Sequence, residues 1–389
     1  MAIIYILTAL VIGFVLTYGT VPPIVTLSNE KKLFDVPNKR KLNKVVVPTL
    51  GGIPIFIGWV LSSLLCLQGY FIAGMQYLLV AILFMFFIGL KDDITLMSAN
   101  KKFALQLLVA TMLVTFGDFR VIETYGLFGF NTINIWISIP VSVILILFLT
   151  NAINLIDGID GLASGLSLLA ALFLGIWFFL SDSMAYAIVC FALAGSLIAF
   201  MRFNLSNGKN KMFMGDTGSL VLGIFWSVMT IYFNNNNIHT LEEYQFLYPP
   251  VILLALFIVP ITDTLRVFFI RIKNKRSPFS PDMNHFHHLL IKGGFTHIQS
   301  TCMLISYTIT FILLAITFSY FEIGITISFI LLLTLSFGSV GVIFKAIKTQ
   351  ENKKTQMQLK RLQTKTVDFN LFPKPNNQRV KIPQVEKIN

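Results

Sequence analysis

Charged residues and cysteines are both scarce in this sequence. Of its 389 residues only 12% are charged, about half the fraction that is usual in soluble domains. This scarcity excludes a water-soluble enzyme and a disordered scaffold. The three cysteines, Cys66, Cys190 and Cys302, lie in separate apolar runs without CxxC spacing, so neither a disulfide framework nor a metal knuckle is indicated.

Long apolar runs take up most of the chain instead. Hydrophobic residues make up 55% of it, and the mean hydropathy is +0.76. Since a helix needs roughly 20 apolar residues to cross a bilayer, the runs predict an all-α polytopic membrane protein with about eleven transmembrane helices. The predicted spans are 2–25, 49–68, 71–90, 103–117, 134–151, 159–180, 184–201, 213–233, 247–270, 303–320 and 323–344. No basic segment precedes the first span, which is interpreted as a retained helix.

The basic residues are confined to one set of loops. Lys and Arg outnumber Asp and Glu by 30 to 18, a formal charge of +12. All but Arg120 lie in segments that alternate helices bring to one face, and basic loops mark the cytoplasmic side. We therefore predict an outside N-terminus, a cytoplasmic C-terminus and no nucleic-acid partner. A membrane domain, 1–345, precedes a basic, partly disordered tail, 346–389, with a helical start near 350–362.

Two adjacent carboxylates, Asp92 and Asp93, end the third predicted span, and Lys102 opens the next helix. Ionisable groups at membrane depth or at a helix mouth are expensive, so their default interpretation is functional. Successive side chains on a helix point about 100° apart. The two carboxylates are therefore expected to have different partners, such as a reacting oxygen and a metal or lysine. A solvated helix end remains an alternative.

A run of polar residues separates two apolar segments at 150–161. Asn151, Asn154, Asp157 and Asp160 lie there at intervals of three, and a glycine follows each aspartate. We expect the glycines to break the helix and let the four side chains converge from a loop. Amide and carboxylate oxygens are ligands for Mg²⁺ and acceptors for a base or sugar. The alternative is an ordinary Asn/Gly/Asp turn.

A third cluster opens the eighth predicted span. Asn204 and two lysines precede the segment Phe213-Met214-Gly215-Asp216-Thr217-Gly218-Ser219. Asp216 between two glycines can reach a metal without crowding. Asp216 or Thr217 could equally be the N-cap of the following helix.

The last cluster lies in the loop between the ninth and tenth spans. Arg276 and three histidines, His285, His287 and His288, form it. Zinc would require further ligands at usual spacing, and no cysteine is near. A set of donors for phosphate oxygens fits better, and a solvated basic loop is the plain alternative.

An entry loop, 35–52, ends in the pair Gly51 and Gly52, which permits close backbone approach to a ligand or simply a turn. One face thus combines acidic oxygens that attract Mg²⁺ with cationic donors that attract phosphate, as phosphoryl transfer requires. The sequence contains no Walker-type glycine loop. A lipid-borne and a water-soluble substrate are expected to meet there.

These five motifs, between about residues 35 and 290, resemble those of the polyprenyl-phosphate N-acetylhexosamine-1-phosphate transferases, the family that includes MraY, WecA and TagO. Leu289 and Leu290 after the histidines are similar to the WecA/TagO branch, whereas Asn43 departs from the family's usual histidine. The resemblance implies transfer of GlcNAc-1-phosphate from UDP-GlcNAc to undecaprenyl phosphate, with release of UMP, at the cytoplasmic face of the plasma membrane.

Family roles carry over by motif position. The resemblance implies that Asp92 is the base for the lipid phosphate, with Asp93 its neighbour near the metal. It also implies metal ligands for Mg²⁺ (or Mn²⁺) in Asp216 and Asn154, a nucleotide and sugar site in Asn151, Asp157, Asp160, Asn204 and Phe213, and diphosphate ligands in His285, His287, His288, Arg276 and Lys102.

Other functions remain open at this stage. Another UDP-N-acetylhexosamine could be the donor, since no motif specifies the N-acetyl pocket. A secondary transporter for an anionic solute also uses interrupted helices with intramembrane charges, but here the charges cluster at helix mouths. An intramembrane aspartyl protease would need two aspartates in mid-helix. A homodimer is neither indicated nor excluded.

Overall fold

The computed structural model describes residues 2–35, 47–67, 69–275 and 285–369. Most of the entry loop, with Asn43, and the predicted diphosphate ligand Arg276 lie outside the described residues. The helices are α1 (Ala2–Glu30), α2 (Gly52–Cys66), α3 (Met75–Ile94), α4 (Ala99–Thr115), α5 (Ile135–Ile156), α6 (Leu162–Leu180), α7 (Met184–Asn204), α8 (Gly215–Asn236), α9 (Pro249–Leu256), α10 (Ile258–Lys273), α11 (Phe286–Lys292), α12 (His297–Tyr320) and α13 (Ile325–Phe369).

Every predicted span overlaps at least one of these helices, and the mostly helical architecture is confirmed. Within the described residues, seven helices are long and apolar enough to cross a membrane. An eighth span arises if the segments Glu242–Leu256 and Ile258–Lys273, which meet at 58°, are counted as one. The predicted ninth span is therefore broken, with Phe257 between α9 and α10. α2 is a shorter apolar helix of 15 residues.

Two antiparallel strand pairs are the exceptions to an all-α fold in the described chain. β1 (Phe34–Asp35) pairs with β2 (Val47–Pro48) ahead of α2. β3 (Glu123–Leu127) and β4 (Phe130–Thr132) form a hairpin before α5. Asn234 and Asn235, near the end of α8, bind the backbone of residues 120–123 in and before this hairpin. The hairpin therefore lies at the opposite end of α8 from Asp216.

α7 and α8 form the centre of the bundle. Most of their residues are buried, α7 packs on α1, α2 and α6, and α8 packs on α2, α3 and α5. Small residues permit these close contacts, as is usual between membrane helices. A Cβ at Gly195 of α7 would lie 2.0 Å from the carbonyl oxygen of Leu10 in α1. The helices α3 and α5, which carry acidic motifs, therefore both pack on α8, which carries Asp216.

α13 continues without a break through the predicted domain boundary at residue 345. It is 45 residues long, whereas roughly 20 suffice to cross a bilayer. The predicted helical start of the tail at 350–362 is part of this single helix rather than a separate element.

Candidate active site

Asp93 connects the end of α3 to the beginning of α8. Its carboxylate accepts hydrogen bonds from the backbone N–H groups of Asp216 and Thr217, both at 2.9 Å, and from the Thr217 hydroxyl at 2.6 Å. The first N–H groups of a helix lack intrahelical partners. A carboxylate at this end also interacts favourably with the helix dipole. The N-cap expected from Asp216 or Thr217 is thus supplied by Asp93, from a different helix.

Glycines allow these two helices to approach so closely. A Cβ at Gly89 would lie 2.5 Å from the carbonyl oxygen of Asp216. Gly215 has a φ of +71°, and a Cβ there would meet the carbonyl oxygen of Thr49 at 2.0 Å. A side chain at either position would separate Asp93 from the backbone that it caps.

Lys102 joins Asp92 to Asp216. Its ammonium lies 3.0 Å from Asp92 Oδ2 and also contacts Asp216 Oδ2. The other oxygen of Asp92 accepts a hydrogen bond from the Met97 backbone N–H at 2.6 Å. The adjacent carboxylates of Asp92 and Asp93 therefore have different partners, as their positions on the helix predict.

The asparagines of the second motif lie on α5 rather than in a loop. The expectation that all four polar side chains converge from a loop is wrong, because α5 continues to Ile156 and only Asp157 and Asp160 lie in the turn that follows. Asn154 donates from Nδ2 to Asp216 Oδ1 and to the Ser219 hydroxyl, each at 2.8 Å. A helix can place Asn154 on Asp216 because α5 packs directly on α8.

Asn151 lies one turn before Asn154 and is held by α4. Its Nδ2 donates to Gln106 Oε1 at 2.8 Å and to the carbonyl of Leu147. Gln106 follows Lys102 by four residues, so both occupy one face of α4. These contacts leave the carbonyl oxygen of Asn151 as the acceptor that it can offer to a ligand.

Asp157 adds a further carboxyl group to the cluster. Burial among the surrounding residues, with the carboxylates of Asp216 and Asp93 nearby, raises the pKa of Asp157 to about 8. Asp92, Asp93, Asp157 and Asp216 thus bring four carboxyl groups together. Within the described part of the chain, Lys102 is the lysine paired with members of this set.

This excess of acidic oxygens fits a divalent cation. Mg²⁺ takes oxygen ligands and is commonly bound through one or two carboxylates plus substrate phosphates. Asp216 and Asn154, which are in contact, provide a carboxylate and an amide oxygen. No group of three His, Cys, Asp or Glu side chains suited to a metal occurs among the residues that the structure describes. Asp216 and Asn154 are the residues that could hold such a cation.

Asp160 lies next to a second cationic group. Its Oδ2 accepts hydrogen bonds from Lys211 Nζ at 2.7 Å and His297 Nδ1 at 3.1 Å. Burial opposes ionisation, but these two bonds outweigh it and lower the pKa of Asp160 below its usual value. Its backbone carbonyl accepts from the Thr301 hydroxyl. Asp160 therefore holds the turn after α5 against α12 and the loop before α8.

Two predicted nucleotide ligands differ in what they contact. The ammonium of Lys211 lies 5.8 Å from the centre of the half-buried Phe213 ring. Asn204 is buried, accepts from the Gly161 N–H at 2.6 Å and donates to the Met212 carbonyl at 2.9 Å. In this structure the Asn204 side chain therefore binds the backbone of the two loops that flank the site.

The glycine pair of the entry loop approaches protein backbone. Gly51 N–H donates to the Phe213 carbonyl and Gly52 N–H to the Met214 carbonyl, both at 2.8 Å. A Cβ at Gly52 would lie 2.2 Å from the backbone nitrogen of Gly218. Of the two uses expected for these glycines, the structure shows close packing on the start of α8.

The three histidines gather beside the turn after α5. The rings of His285 and His287 are parallel, with centroids 5.8 Å apart, and His288 is 4.4 Å from His287. His287 is buried, and a Cβ at Gly158 would lie 2.1 Å from its Nε2. Burial, together with the other histidines, lowers the pKa of His287 well below its usual range. The histidine cluster therefore meets the turn that carries Asp157 and Asp160.

Four residues in these contacts were absent from the predicted site. Asp263 on α10 accepts from His285, His297 and Lys211 bind Asp160, and Gln106 binds Asn151. Asp263 carried a usable signal, since it is an acidic residue inside the predicted span 247–270. His297 and Gln106 lie outside every motif and carried none.

Comparison with known proteins shows the family to which the sequence belongs. Residues 75–234 match the family model described as glycosyl transferase family 4. A probable undecaprenyl-phosphate N-acetylglucosaminyl 1-phosphate transferase of Bacillus subtilis (strain 168) is 32% identical over 314 residues, which are 78% of this chain and 82% of that protein. The chain belongs to the polyprenyl-phosphate N-acetylhexosamine-1-phosphate transferase family.

Other members of this transferase family show similar coverage. A decaprenyl-phosphate N-acetylglucosaminephosphotransferase of Mycobacterium leprae is 32% identical over 304 residues, 73% of this chain and 76% of that protein. The undecaprenyl-phosphate alpha-N-acetylglucosaminyl 1-phosphate transferase of Escherichia coli (strain K12) is 29% identical over 278 residues, 69% and 71% of the two chains. The resemblance read from the five motifs is confirmed.

Proposed function

We propose that this protein transfers GlcNAc-1-phosphate from UDP-GlcNAc to undecaprenyl phosphate and releases UMP. The observation that carries the proposal is the meeting of α3, α4, α5 and α8 at one acidic cluster, where Lys102 bridges Asp92 and Asp216. Transferases with this activity in their names are about 30% identical to the chain over most of its length. The product would begin a cell-surface polysaccharide.

The reaction exchanges one phosphoanhydride for another. An oxygen of the lipid phosphate attacks the phosphorus that carries GlcNAc, the bond from that phosphorus to the bridging oxygen breaks, and UMP leaves. A phosphate monoester with a second pKa of about 6 is already mostly ionised at neutral pH. Asp92 therefore has a modest task as base, and we favour direct attack over a covalent phospho-enzyme. Positioning and charge neutralisation provide most of the acceleration.

A divalent cation completes the proposed site. Asp216 and Asn154 would hold Mg²⁺, which neutralises phosphate oxygens when it is bound. Lys102 would supply positive charge to the same phosphates, and His285, His287 and His288 would bind the diphosphate or the amino sugar. Dialysis against EDTA should abolish turnover, and excess Mg²⁺ or Mn²⁺ should restore it. Full activity of the EDTA-treated, metal-free protein would contradict this part of the proposal.

The proposed setting is the plasma membrane, with eleven spans, the N-terminus outside and the site facing the cytoplasm. The basic loops support this orientation. The acidic cluster lies at the beginning of α8, where Lys102 of α4 contacts it and Lys211 lies in the preceding loop, while the hairpin near Arg120 lies at the other end of α8. The orientation can be tested by measuring which cysteines react with a label added from either side of sealed vesicles.

Product formation separates this proposal from its alternatives. Purified protein is incubated with radiolabelled UDP-GlcNAc, undecaprenyl phosphate and Mg²⁺, and label in the lipid phase and UMP are measured. We expect equal amounts of labelled lipid and UMP. A transporter would form neither, and label appearing only with another UDP-N-acetylhexosamine would keep the reaction type but change the donor.

A further inference from the structure

Asp263 is a buried carboxylate outside the acidic cluster. It lies on α10, six residues after the bend at Phe257, and only 1% of it is exposed. Burying a charged group without partners is costly, so its contacts indicate its role. Among the described residues, two groups at the beginning of α11, the helix that carries the histidine motif, bind it.

Both oxygens of Asp263 are used at this point. Oδ1 accepts the backbone N–H of Phe286 at 2.9 Å, and Oδ2 lies 2.8 Å from Nδ1 of His285. The first bond fixes the beginning of α11. The second places a hydrogen on Nδ1 of His285, because a carboxylate can only accept. The partner of one imidazole nitrogen thereby determines the state of the other.

The contact extends to the rest of the motif. The His285 ring is parallel to that of His287, and His287 fits against Gly158 in the turn that carries Asp157 and Asp160. α10 therefore determines where the histidines meet the acidic motifs. Tilting α10 or losing its carboxylate would move these histidines away from the proposed UDP-sugar site.

We propose that Asp263 is a positioning residue for the transfer reaction. It holds the beginning of α11 and keeps the hydrogen of His285 on Nδ1, which leaves Nε2 as an acceptor for an O–H or N–H group of the UDP-sugar. This proposal rests on the proposed function, since the histidines are assigned to the donor substrate. Asp263 itself acts through His285 and touches no reacting atom.

D263N is the sharpest variant because it keeps the size of the side chain and replaces one of its two acceptor oxygens by a donor. One amide orientation retains the bond from Phe286 N–H and presents a donor to Nδ1, which moves the ring hydrogen to Nε2. The other orientation sets two donors against each other at Phe286. We expect kcat/KM for UDP-GlcNAc to fall at least about tenfold, as expected when a carboxylate no longer orients a histidine.

The loss should lie mainly in KM for UDP-GlcNAc, while KM for undecaprenyl phosphate stays within about twofold. D263E, which restores a carboxylate, should recover part of the loss. D118N is the matched control, since Asp118 is an exposed residue paired with Arg120 before the distant hairpin. It should leave kcat/KM unchanged.

A double-mutant cycle tests whether Asp263 works through His285. Side chains that act as one unit show non-additive effects. In an H285N background, whose side-chain amide retains a donor near the position of Nδ1, adding D263N should lower kcat/KM less than about twofold. Additive losses would show that Asp263 has only a general structural role.

The position of the ring hydrogen of His285 can also be observed directly, by a measurement that does not depend on activity. In ¹⁵N-histidine-labelled wild-type protein in nanodiscs, the His285 signal, assigned by its absence from H285N, should show a hydrogen on Nδ1. Its absence, or a D263N enzyme with kcat/KM within twofold of wild type, overturns the proposal. Wild-type protein that forms no labelled lipid would reject the proposed function instead, and the ring measurement would still stand.

Discussion

The carboxylate of Asp93 accepts hydrogen bonds from both the backbone N–H and the hydroxyl of Thr217, 124 positions away in the sequence. One side chain thus joins the end of α3 to the beginning of α8. The neighbouring residues on each helix, Asp92 and Asp216, both contact Lys102. Any change in the cap at Asp93 therefore reaches the proposed reacting groups through the backbone on either side.

Asp93→Asn should destabilise the protein and lower its turnover. The amide can accept with one oxygen but turns a donor toward the other N–H group of α8. Loss of a helix cap costs about 0.5–2 kcal/mol, which should lower the unfolding temperature measured in detergent. Asp182→Asn, in an exposed turn, is the control. An unchanged unfolding temperature for Asp93→Asn would contradict the assigned cap.

Asp92→Asn and Asp216→Asn should each lower turnover by at least about a hundredfold, because each removes a charge from the proposed reacting centre. Both variants should remain folded, since the amide keeps an oxygen that can bind Lys102. UMP release at saturating substrates measures the effect, and circular dichroism checks the fold. Near-normal UMP release by either variant would refute the role given to that residue.

Asp157→Asn should stabilise the protein at alkaline pH while impairing it as a catalyst. The pKa of Asp157 is raised to about 8 from an ordinary value of 3.8. Between those values the native state binds more protons than the unfolded state, so the stability of the wild type falls as pH rises toward 8. In EDTA, the difference in unfolding temperature between Asp157→Asn and wild type should therefore grow from pH 5 to pH 8.

A difference that stays constant over this pH range would contradict the assignment to Asp157. Added Mg²⁺ should reduce the difference at pH 8, because a bound cation stabilises the ionised carboxylate of the wild type. Asp182→Asn again provides the comparison.

His287→Ala should weaken use of the UDP-sugar at least about tenfold without release of a metal. The buried ring fits against Gly158 beside the acidic turn, so its removal opens space at the proposed diphosphate site. KM for UDP-GlcNAc and the zinc content by atomic absorption are the two measurements. Loss of stoichiometric zinc from the variant would restore the zinc interpretation.

The sequence predicted the helices well because apolar length is a local property. The break of the ninth span at Phe257 is less accessible, because Pro260 signals a bend but neither its position nor its 58° angle. The continuation of α5 through Asn151 and Asn154 was missed for a physical reason. Packing on α8 gives Asn154 partners that a helical residue beside lipid would otherwise lack.

Residues of the separate motifs were expected to meet, but their contacts could not be predicted, and Gln106 and His297 lie outside every motif. Motif spacing indicated that Asp92 and Asp93 have different partners, yet nothing local showed that Asp93 would cap α8. Asn204 was assigned to a ligand, whereas its amide binds the backbone of Gly161 and Met212. The role of Asp263 could not be predicted because its partners lie at the beginning of α11. Phe286, for example, is 23 residues away in the sequence.

The glycine contacts at Gly52, Gly89 and Gly215 have a consequence for how this sequence can vary. Each leaves less room than a methyl group needs against the start of α8 or its neighbours. A mutational library should therefore accept many apolar exchanges on the lipid-facing sides of α2 and α3 while rejecting alanine at these three places. Substitutions are therefore tolerated over the broad lipid-facing surfaces and excluded at the few glycines where one backbone contacts another.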